Sequence, residues 1–414
     1  MAVADWKPVK LDQLGFVGRG KSRHRPRNAA FLYGGLYPFF QTGDIKAANF
    51  YLTEYSQTYS DEGLAQSKLW KPGTLCITIA ANIAESAILG IEGCFPDSVV
   101  GFVADPEKAD VRFIKYYMEI LKLQMQSVSR GTTQDNLSVD KLLSFDFLVP
   151  PLSVQQRIAD ILSAYDELIE NCQQRIKILE SMVRALYREW FVHFRFPGHE
   201  NHPRVASPLG EIPQAWEVRT LAELCTRMES GGTPKRSNAE YWDGGEVDWY
   251  KTGELWDGFL FGSQEKITAR GQRESTARLF EPGTILMAIY GSPTVGRMGI
   301  LTRHASCNQA ALGLVANRGL ISQTYLYFLL FSLREHFNSL AQGAAQQNIS
   351  KEKVASALAI MPTRDILESF DKSAEPVFAQ IQTLQCQVEN LRRTRDLLLP
   401  RLLSGQIDVT PPEL

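Results

Sequence analysis

Two stretches of the chain place apolar residues at alternating intervals of four and three positions. The first runs from Ile158 to Trp190 without a break, and the second runs from Phe370 to Leu402 with one interruption, at Arg395. Such spacing forms the a/d seam of a coiled coil. It predicts two long helices that pack on each other, with an ordinary amphipathic helix on its own domain as the alternative. The seam residues are Ile158, Leu162, Ile169, Ile176, Leu179 and Leu186, then Phe370, Ile381, Leu384, Val388, Leu391 and Leu398.

Proline and glycine mark the expected limits of these helices. Pro197 and Gly198 end the first helical region, and Ser404-Gly405 supplies a C-terminal cap for the second. Pro376 lies inside the second pattern, so this helix is expected to bend or to begin near that residue.

Short apolar runs upstream of each long helix predict buried strands. Residues 74–80 and 284–290 follow a Pro-Gly pair, which is typical of a strand that leaves a turn. The runs Val99–Ala104 and Ala311–Ala316 are expected to pair with them. Longer helices are expected next, over residues 110–129 and 322–341. The predicted order is therefore an α+β module, a long helix, a second module and a second long helix.

The chain repeats itself about halfway along its length. The segment GTTQDNLS at 131–138 returns as GAAQQNIS at 343–350, an offset of 212 residues. Thr42-Gly43-Asp44 returns as Thr252-Gly253-Glu254 at an offset of 210. Such a repeat is far longer than a solenoid unit. It indicates a duplicated globular module, and a duplicated module suggests a target with two similar halves. Ser138 and Ser350 are expected to cap a short helix after the repeated loop.

Composition and length are those of a folded protein with two or three domains. The 414 residues carry a net charge of −2, which by itself does not indicate a nucleic-acid partner. The six cysteines form no C-x-x-C pair, which fits reduced thiols in the cytoplasm. No signal peptide is recognised at the N-terminus, and polar residues interrupt the most apolar stretch, 74–90, so no membrane span is expected.

The basic residues cluster near the N-terminus. Arg19, Lys21, Arg23, Arg25 and Arg27 lie within nine residues. The segment 15–22 also matches the P-loop pattern G-x-x-x-x-G-K-S, which requires a helix directly behind it. The following sequence, RHRPR, is a poor helix start, so a basic loop that contacts phosphate backbone is the favoured interpretation. A nucleotide site at Lys21 and a solvated loop without a partner remain the alternatives.

Other chemical motifs are weak or missing. His199-Glu200-Asn201-His202 is one residue short of the zinc-binding H-E-x-x-H spacing and lies between prolines, so no metal site is expected. No acyl-transfer or amino-methyltransferase motif is recognised. The glycine-rich run 290–299 differs strongly from its counterpart at 80–85, whereas the surrounding scaffold repeats. Two readers of different sequences on one fold would differ in this way, and ordinary loop drift is the alternative.

Taken together, these features resemble the specificity subunit of type I restriction-modification systems. The resemblance covers essentially the whole chain. It is most specific at residues 131–138 before VPPLSVQQ (149–156), at 176–179 running into LYREWFV (186–192), and at LRRTRDLLLPRLLSGQI (391–407). The second copy of the Pro-Pro-Leu segment, MPTR at 361–364, departs from the pattern.

The resemblance implies an α+β architecture. Two duplicated α/β target recognition domains, the first at residues 1–150 and the second, with a linker before it, at residues 197–362, would be separated by two long antiparallel coiled-coil helices. The first helix would occupy residues 151–196, and the second, with a tail, residues 363–414.

The resemblance also implies a non-catalytic reader of double-stranded DNA. Each recognition domain would read one half of an asymmetric, interrupted site. Two methyltransferase subunits would dock beside the helices with S-adenosylmethionine, and translocase-nuclease subunits would use ATP and Mg²⁺. This chain itself would hold no cofactor. A coiled-coil scaffold without DNA affinity, or an NTPase built on Lys21, would be the rival functions.

The residues expected to contact DNA are basic, aromatic or amide side chains on loops of the two modules. They are Arg19, Lys21, Arg23, Arg25, Arg27 and Asn82 in the first module, and Lys235, Arg236, Lys251, Tyr290 and Arg297 in the second.

Overall fold

The computed structural model describes residues 6–129, 136–291, 294–342 and 348–409. The chain divides into two compact units. Unit 1 contains residues 1–170 and 390–414, and unit 2 contains residues 171–389. Each unit holds one module, named here the first and the second module, together with parts of both long helices.

The described part of the first module consists of short strands, one long α-helix, three short α-helices and the 3-10 turns Leu11–Gln13 and Ala30–Leu32. Its strands are β1 Lys7–Val9, β2 Gly15–Arg19, β3 Tyr33–Phe39, β4 Tyr51–Leu52, β5 Gln57–Tyr59, β6 Leu69–Trp70, β7 Leu75–Thr78, β8 Ser86–Leu89, β9 Gly93–Cys94, β10 Val99–Ala104 and β11 Phe147–Val149. Its helices are α1 Thr42–Ala47, α2 Asp61–Ala65, α3 Val111–Ser129 and α4 Val139–Ser144. The long helix α5 Leu152–Tyr187 follows and continues into a π-helical turn, Arg188–Val192.

The second module repeats this order after a hairpin. Its strands are β12 Arg204–Ser207, β13 Gly210–Pro213, β14 Glu217–Thr220, β15 Cys225–Ser230, β16 Val247–Tyr250, β17 Phe259–Leu260, β18 Glu265–Ile267, β19 Ile285–Ala288, β20 Met298–Leu301, β21 Ala305–Cys307, β22 Ala311–Ala316 and β23 Leu358–Met361. Its helices are α6 Leu221–Leu224, α7 Ala269–Arg273, α8 Gln323–Ser332, α9 Arg334–Gln342 and α10 Lys351–Ala355. The second long helix is α11 Arg364–Leu403.

The two modules share one sheet topology. The central sheet has the order β2-β10-β7-β8-β4 in the first module and β15-β22-β19-β20-β17 in the second. In each sheet the last strand pairs in parallel and the others pair antiparallel. A second sheet joins β3, β5, β6 and β9 in the first module, and β16, β18 and β21 in the second. The duplication seen in the sequence is therefore a duplication of the fold.

The predicted strands and caps are confirmed. The apolar runs at 74–80 and 284–290 form β7 and β19, which pair with β10 and β22 as expected. Ser138 and Ser350 each accept a hydrogen bond from the main-chain N–H three residues later, which begins α4 and α10. The helix expected over 322–341 is interrupted at Leu333 and forms α8 and α9 instead of one element.

The long helices are antiparallel within each unit. In unit 2, Cys172 Sγ lies 4.0 Å from Gln387 Oε1, and the rings of Trp190 and Phe370 lie 6.1 Å apart. The residue number of the contacting residue on α11 falls as the residue number along α5 rises, so the two helices run antiparallel. The seam residues of both helices are buried or half-buried, as residues on a packed helix face are.

Both helices also complete the core of each module. In unit 1, Ile158 and Leu162 of α5 and Leu402 and Leu403 of α11 are buried in one apolar cluster with residues of the first module. In unit 2, a second cluster contains the other end of α5, the start of α11 and the second module. The core of unit 1 therefore joins parts of the chain more than 200 residues apart in sequence, and the core of unit 2 joins parts up to 191 residues apart, from Val183 to Ala374.

Arg395, which interrupts the seam, has a specific partner in unit 1. Its guanidinium forms an ion pair with Asp166 of α5, and Tyr116 Oη of α3 donates to Asp166 Oδ2 over 2.6 Å. Burial, together with the Asp166 carboxylate, raises the pKa of Tyr116, so the phenol stays a donor at neutral pH. Through Asp166, these polar contacts join α5, α11 and α3 and favour one register of the two long helices.

The observed ends of α11 agree only in part with the limits predicted from the sequence. The helix begins at Arg364 and runs through Pro376, so Pro376 is not its start. At the other end Gly405 has φ +71°, and its N–H donates to the carbonyl of Leu402, as a glycine C-cap requires. No helix in the described part of the chain combines the length and the apolarity that a membrane crossing requires.

The Asp166–Arg395 pair gives a first prediction. We expect Asp166→Ala to lower the free energy of unfolding by about 1–2 kcal/mol, because Arg395 loses its partner at a half-buried site. The loss is smaller than for a fully buried pair, since the Arg395 and Asp166 side chains are 28% and 17% exposed. Urea unfolding of the full chain measures it. Asp396→Ala is the control, since Asp396 contacts the same guanidinium from an exposed position. Equal effects of the two variants would contradict this role for Asp166.

Candidate nucleic-acid interface

In each module a basic loop follows the first strand of the central sheet, β2 or β15. In the first module, Gly20 N–H donates to Val99 O over 2.8 Å and Lys21 N–H to Phe95 O over 3.1 Å. In the second module, the N–H groups of Gly231 and Gly232 bond to the carbonyls of Ala311 and Cys307 in the same manner. The main chain is thereby fixed to the neighbouring strand. The side chains of Arg19, Lys21, Arg23, Arg25, Arg27, Lys235 and Arg236 are exposed.

This geometry excludes a P-loop at residues 15–22. Gly15–Arg19 is a strand, and the N–H groups of Gly20 and Lys21 already donate to carbonyls. Ser22 is buried, and bends and turns rather than a helix follow it. The peptide groups that would bind a nucleotide phosphate are therefore not available.

Asp97 organises the arginines of the first loop. Arg27 Nη2 lies 2.9 and 2.8 Å from the two Asp97 carboxylate oxygens, and Arg25 Nη2 lies 4.0 Å away. Arg19 Nε donates to the Asp97 carbonyl. Lys21 and Arg23 have no carboxylate partner within the described residues. These last two cations are free to meet a phosphate, whereas Arg27 must first leave Asp97.

In the second module two of the predicted cations share one carboxylate. Lys251 Nζ lies 2.6 Å from Glu265 Oε1, and Arg236 bonds to the other oxygen. Hydrogen bonds from Lys251 and Arg236 lower the pKa of Glu265. The Arg236 guanidinium also lies 3.7 Å from the Trp242 ring centre. Both cations therefore hold the loop in place, and Lys235 lies exposed beside Arg236.

The other predicted residues lie on the turn between the two strands of the central hairpin. Asn82 follows β7, and Tyr290 and Arg297 follow β19. Asn82 Oδ1 accepts from Lys46 Nζ over 3.3 Å. Tyr290 is 40% exposed. The first hairpin turn, residues 79–85, therefore carries the half-buried Asn82, and the described residues of the second, 289–291 and 294–297, carry Tyr290 and the half-buried Arg297.

The repeated sequence segment fastens this turn. Asn136 forms an isolated β-bridge with Ala80, and Asn348 forms the equivalent bridge with Tyr290. The residue after each Asn also bonds to the end of the strand. Leu137 N–H donates to Ile79 O over 2.8 Å, and Ile349 N–H donates to Ile289 O over 2.9 Å. The repeated Asn therefore positions the hairpin turn. Residues 131–135 and 343–347 of the segment lie outside the described residues.

Sequence reasoning missed an exposed tryptophan beside the second hairpin turn. Trp256 is 71% exposed, and the Arg297 guanidinium lies 4.7 Å from its ring centre. Trp256 stands two residues after the repeated Thr-Gly-acid triplet, and Lys46 has that place in the first module. Following the repeat through this position would have found it.

A metal site is not formed by the residues that the structure describes, where no group of three His, Cys, Asp or Glu side chains is arranged to hold an ion. His199 Nδ1 lies 2.9 Å from Phe196 O, in a short turn between the modules. The motif that superficially resembles a zinc site is part of this linker.

Two copies of one fold, each with a basic loop and a polar hairpin turn, define a duplicated DNA-recognition protein. The family model of the type I restriction modification DNA specificity domain matches residues 4–181 and 213–362. The chain therefore belongs to the type I restriction modification DNA specificity family, as the resemblance implied.

Individual relatives agree over nearly the full length. The chain is 24% identical to the type I restriction enzyme MjaIX specificity subunit of Methanocaldococcus jannaschii, over 98% of this chain and 94% of the relative. It is 24% identical to the type I restriction enzyme HindI specificity subunit of Haemophilus influenzae, over 98% and 100%. The crystal structure of a type I S subunit from M. genitalium superposes with a TM-score of 0.63 at 16% identity, covering 98% and 97% of the two chains. The fold is therefore that of an S subunit.

The free cations of the first loop give a second prediction. We expect Arg23→Ala to reduce the slope of log Kd against log salt by about 0.9, the value for one phosphate contact. Binding of the full chain to a random duplex measures the slope.

Arg219→Ala is the matched control for this experiment. Arg219 lies 2.6 Å from Glu217 and 3.2 Å from Glu223, so its charge is already neutralised. An equal loss of slope in both variants would show that the loop makes no specific phosphate contact.

Proposed function

We propose that this chain is the non-catalytic sequence-recognition subunit of a type I restriction-modification complex, and that each module reads one half of a bipartite, asymmetric DNA site. One observation carries the proposal: the two modules have the same central strand order but different loops. One scaffold with two different surfaces suits two different half-sites.

Two separate half-sites also explain how high specificity arises from small surfaces. A well-read base pair contributes roughly 1–3 kcal/mol of discrimination. Contributions from well-separated positions add, so the two modules multiply their selectivities. The basic loops would set the position on phosphates, and the hairpin turns would read base edges.

The long helices are proposed to determine the spacer between the half-sites. Helix α5 contributes to the core of each unit as one continuous element, and α11 does the same in the opposite direction. The number of residues between the two cores then sets the number of unread base pairs, since a helix rises about 1.5 Å per residue and DNA about 3.4 Å per base pair.

Partner subunits would supply the chemistry. Two methyltransferase subunits with S-adenosylmethionine, and translocase-nuclease subunits with ATP and Mg²⁺, would act on the DNA that this chain selects in the cytoplasm. Support comes from apolar side chains that the helices leave exposed, namely Leu168, Ile178, Met182 and Leu397. Exposed apolar side chains on otherwise packed helices favour a protein partner.

Independent reading by the modules gives the third prediction. Tyr290→Ala should change the methylated motif only in the half that the second module reads, because Tyr290 belongs to the second hairpin turn. The measurement is the methylated motif in cells that carry the system. Leu209→Ala, an exposed apolar change in the β12–β13 hairpin, is the control and should leave the motif intact. Altered bases in both halves after the Tyr290 change would refute independent reading.

The spacer gives the fourth prediction. Four helix-forming residues are inserted after Gln173 and four after Cys386, since these positions lie opposite each other beside the Cys172–Gln387 contact. The inserts add about 6 Å, so the spacer should grow by one or two base pairs while both half-sites persist. Insertion into α5 alone is the control, because it should break the pairing. A fixed spacer in the double insertion, with changed half-site bases, would contradict the role of the helices.

A further inference from the structure

Two loops of the second module meet beside its central hairpin. Asp257 N–H donates to Met298 O over 2.8 Å, and Met298 N–H donates back to Asp257 Oδ1 over 3.0 Å. Ile300 N–H donates to Gly258 O over 2.8 Å. The loop that carries Trp256 is therefore joined to strand β20, immediately after Arg297.

Arg334, the first residue of α9, holds this junction from inside the module. Its guanidinium forms a two-bond ion pair with the Asp257 carboxylate, and its Nε donates to Gly296 O over 2.8 Å. Asp257 has φ +62°, a conformation that costs free energy for a residue with a Cβ and needs support from its surroundings. Arg334 thus links the loop and the hairpin turn through one side chain.

The outer side of the junction carries an exposed tryptophan in contact with a half-buried arginine. The Arg297 guanidinium lies over the Trp256 ring at 4.7 Å, and Trp256 is 71% exposed. Within the described part of the chain, Arg297 has no carboxylate within 4 Å, unlike Arg236 or Arg334. A cation–π contact of this kind restricts the guanidinium without using its N–H donors.

The first module has the same arrangement with different chemistry. Lys46, the counterpart of Trp256, contacts Asn82 in the hairpin turn at 3.3 Å. Lys122 of α3, the counterpart of Arg334, forms a 2.6 Å ion pair with Glu85. Glu85 directly precedes β8, just as Arg297 directly precedes β20.

The charge difference between Glu85 and Arg297 explains why the second module forms a different ion pair. Because Arg297 replaces the acidic Glu85, the basic helix residue cannot pair with it and binds Asp257 instead. The first module has Ala47 at the place of Asp257. The second module therefore keeps an ion pair that supports the turn, and within the described residues Arg297 is left without a carboxylate partner. A basic helix residue thus forms an ion pair at the turn in both modules, whereas its acidic partner and the residues beside it differ.

We propose that Arg297, stacked on Trp256 and positioned through Arg334 and Asp257, reads a guanine in the half-site of the second module. This rests on the proposed function above. A guanidinium presents two donors that match guanine O6 and N7 in the major groove, a contact that no other base pair offers at those atoms. Lys46 and Asn82 have the corresponding role in the first module and, with different donors and acceptors, select a different base.

The test uses the full chain in complex with its methyltransferase subunits and reads the methylated motif. Arg297→Gln should relax one guanine position in the second half-site, with a roughly ten- to hundredfold loss of discrimination, the range for one bidentate base contact. The first half-site and the spacer should stay unchanged. Trp256→Ala should relax the same position, and the double variant should lose little more than either single variant, because both act through one contact.

Arg334→Met tests the positioning role and has a matched control. Arg227 also pairs with a carboxylate through two bonds, at Glu229, donates to the Leu279 carbonyl and lies 4.6 Å from the Phe280 ring centre. It is remote in sequence from the hairpin turn. Arg334→Met should relax the same guanine position as Arg297→Gln. Arg227→Met should lower thermal stability to a similar extent and leave the motif unchanged.

The outcomes separate the two proposals. An Arg297→Gln complex with an unchanged motif would overturn the assignment of this residue, and equal relaxation by Arg227→Met would overturn the positioning role of Arg334. A wild-type complex that marks no bipartite motif would instead remove the proposed function, and this inference with it.

Discussion

The antiparallel pairing of the two long helices is the constraint on which the rest of the structure depends. Neither module buries its core alone, because each needs one end of α5 and the opposite end of α11. Burial of apolar surface drives this pairing, at about 25 cal/mol per Å² removed from water. The Asp166–Arg395 ion pair then adds a polar contact at one register. Since the same helices belong to both units, a change in one of them affects the recognition surfaces as well as stability.

Comparison of the two modules shows which parts of this fold are repeated and which parts differ. The strand order, the serine caps and the Asn bridges at the hairpin turn are duplicated. The side chains beside the hairpin turn are not duplicated. Lys46 of the first module has the place of Trp256 in the second, and the turns that carry Asn82 and Arg297 differ in sequence. Support from inside is also kept, by Lys122 in one module and Arg334 in the other. A rigid scaffold with exchangeable side chains is what base reading at two different half-sites requires.

Much of this fold could be predicted from local patterns, and most of the site could not. The strands Val99–Ala104 and Ala311–Ala316 were predictable because a buried strand is a continuous apolar run between turn signals. The partners of Arg395 and Arg297 were not, because such contacts depend on how distant segments approach each other. Sequence patterns also missed the break at Leu333, where a continuous helical pattern divides into two helices. The repeat was the strongest signal, since each position could be compared with its counterpart.

The most direct test of the account is the pattern of adenine methylation in cells that express this chain together with the proposed methyltransferase subunits. The account predicts one asymmetric motif made of two short, different half-sites separated by a fixed number of unread base pairs. A continuous motif without a spacer, or methylation that does not change when this chain is removed, would contradict the claim that the two modules read separate half-sites.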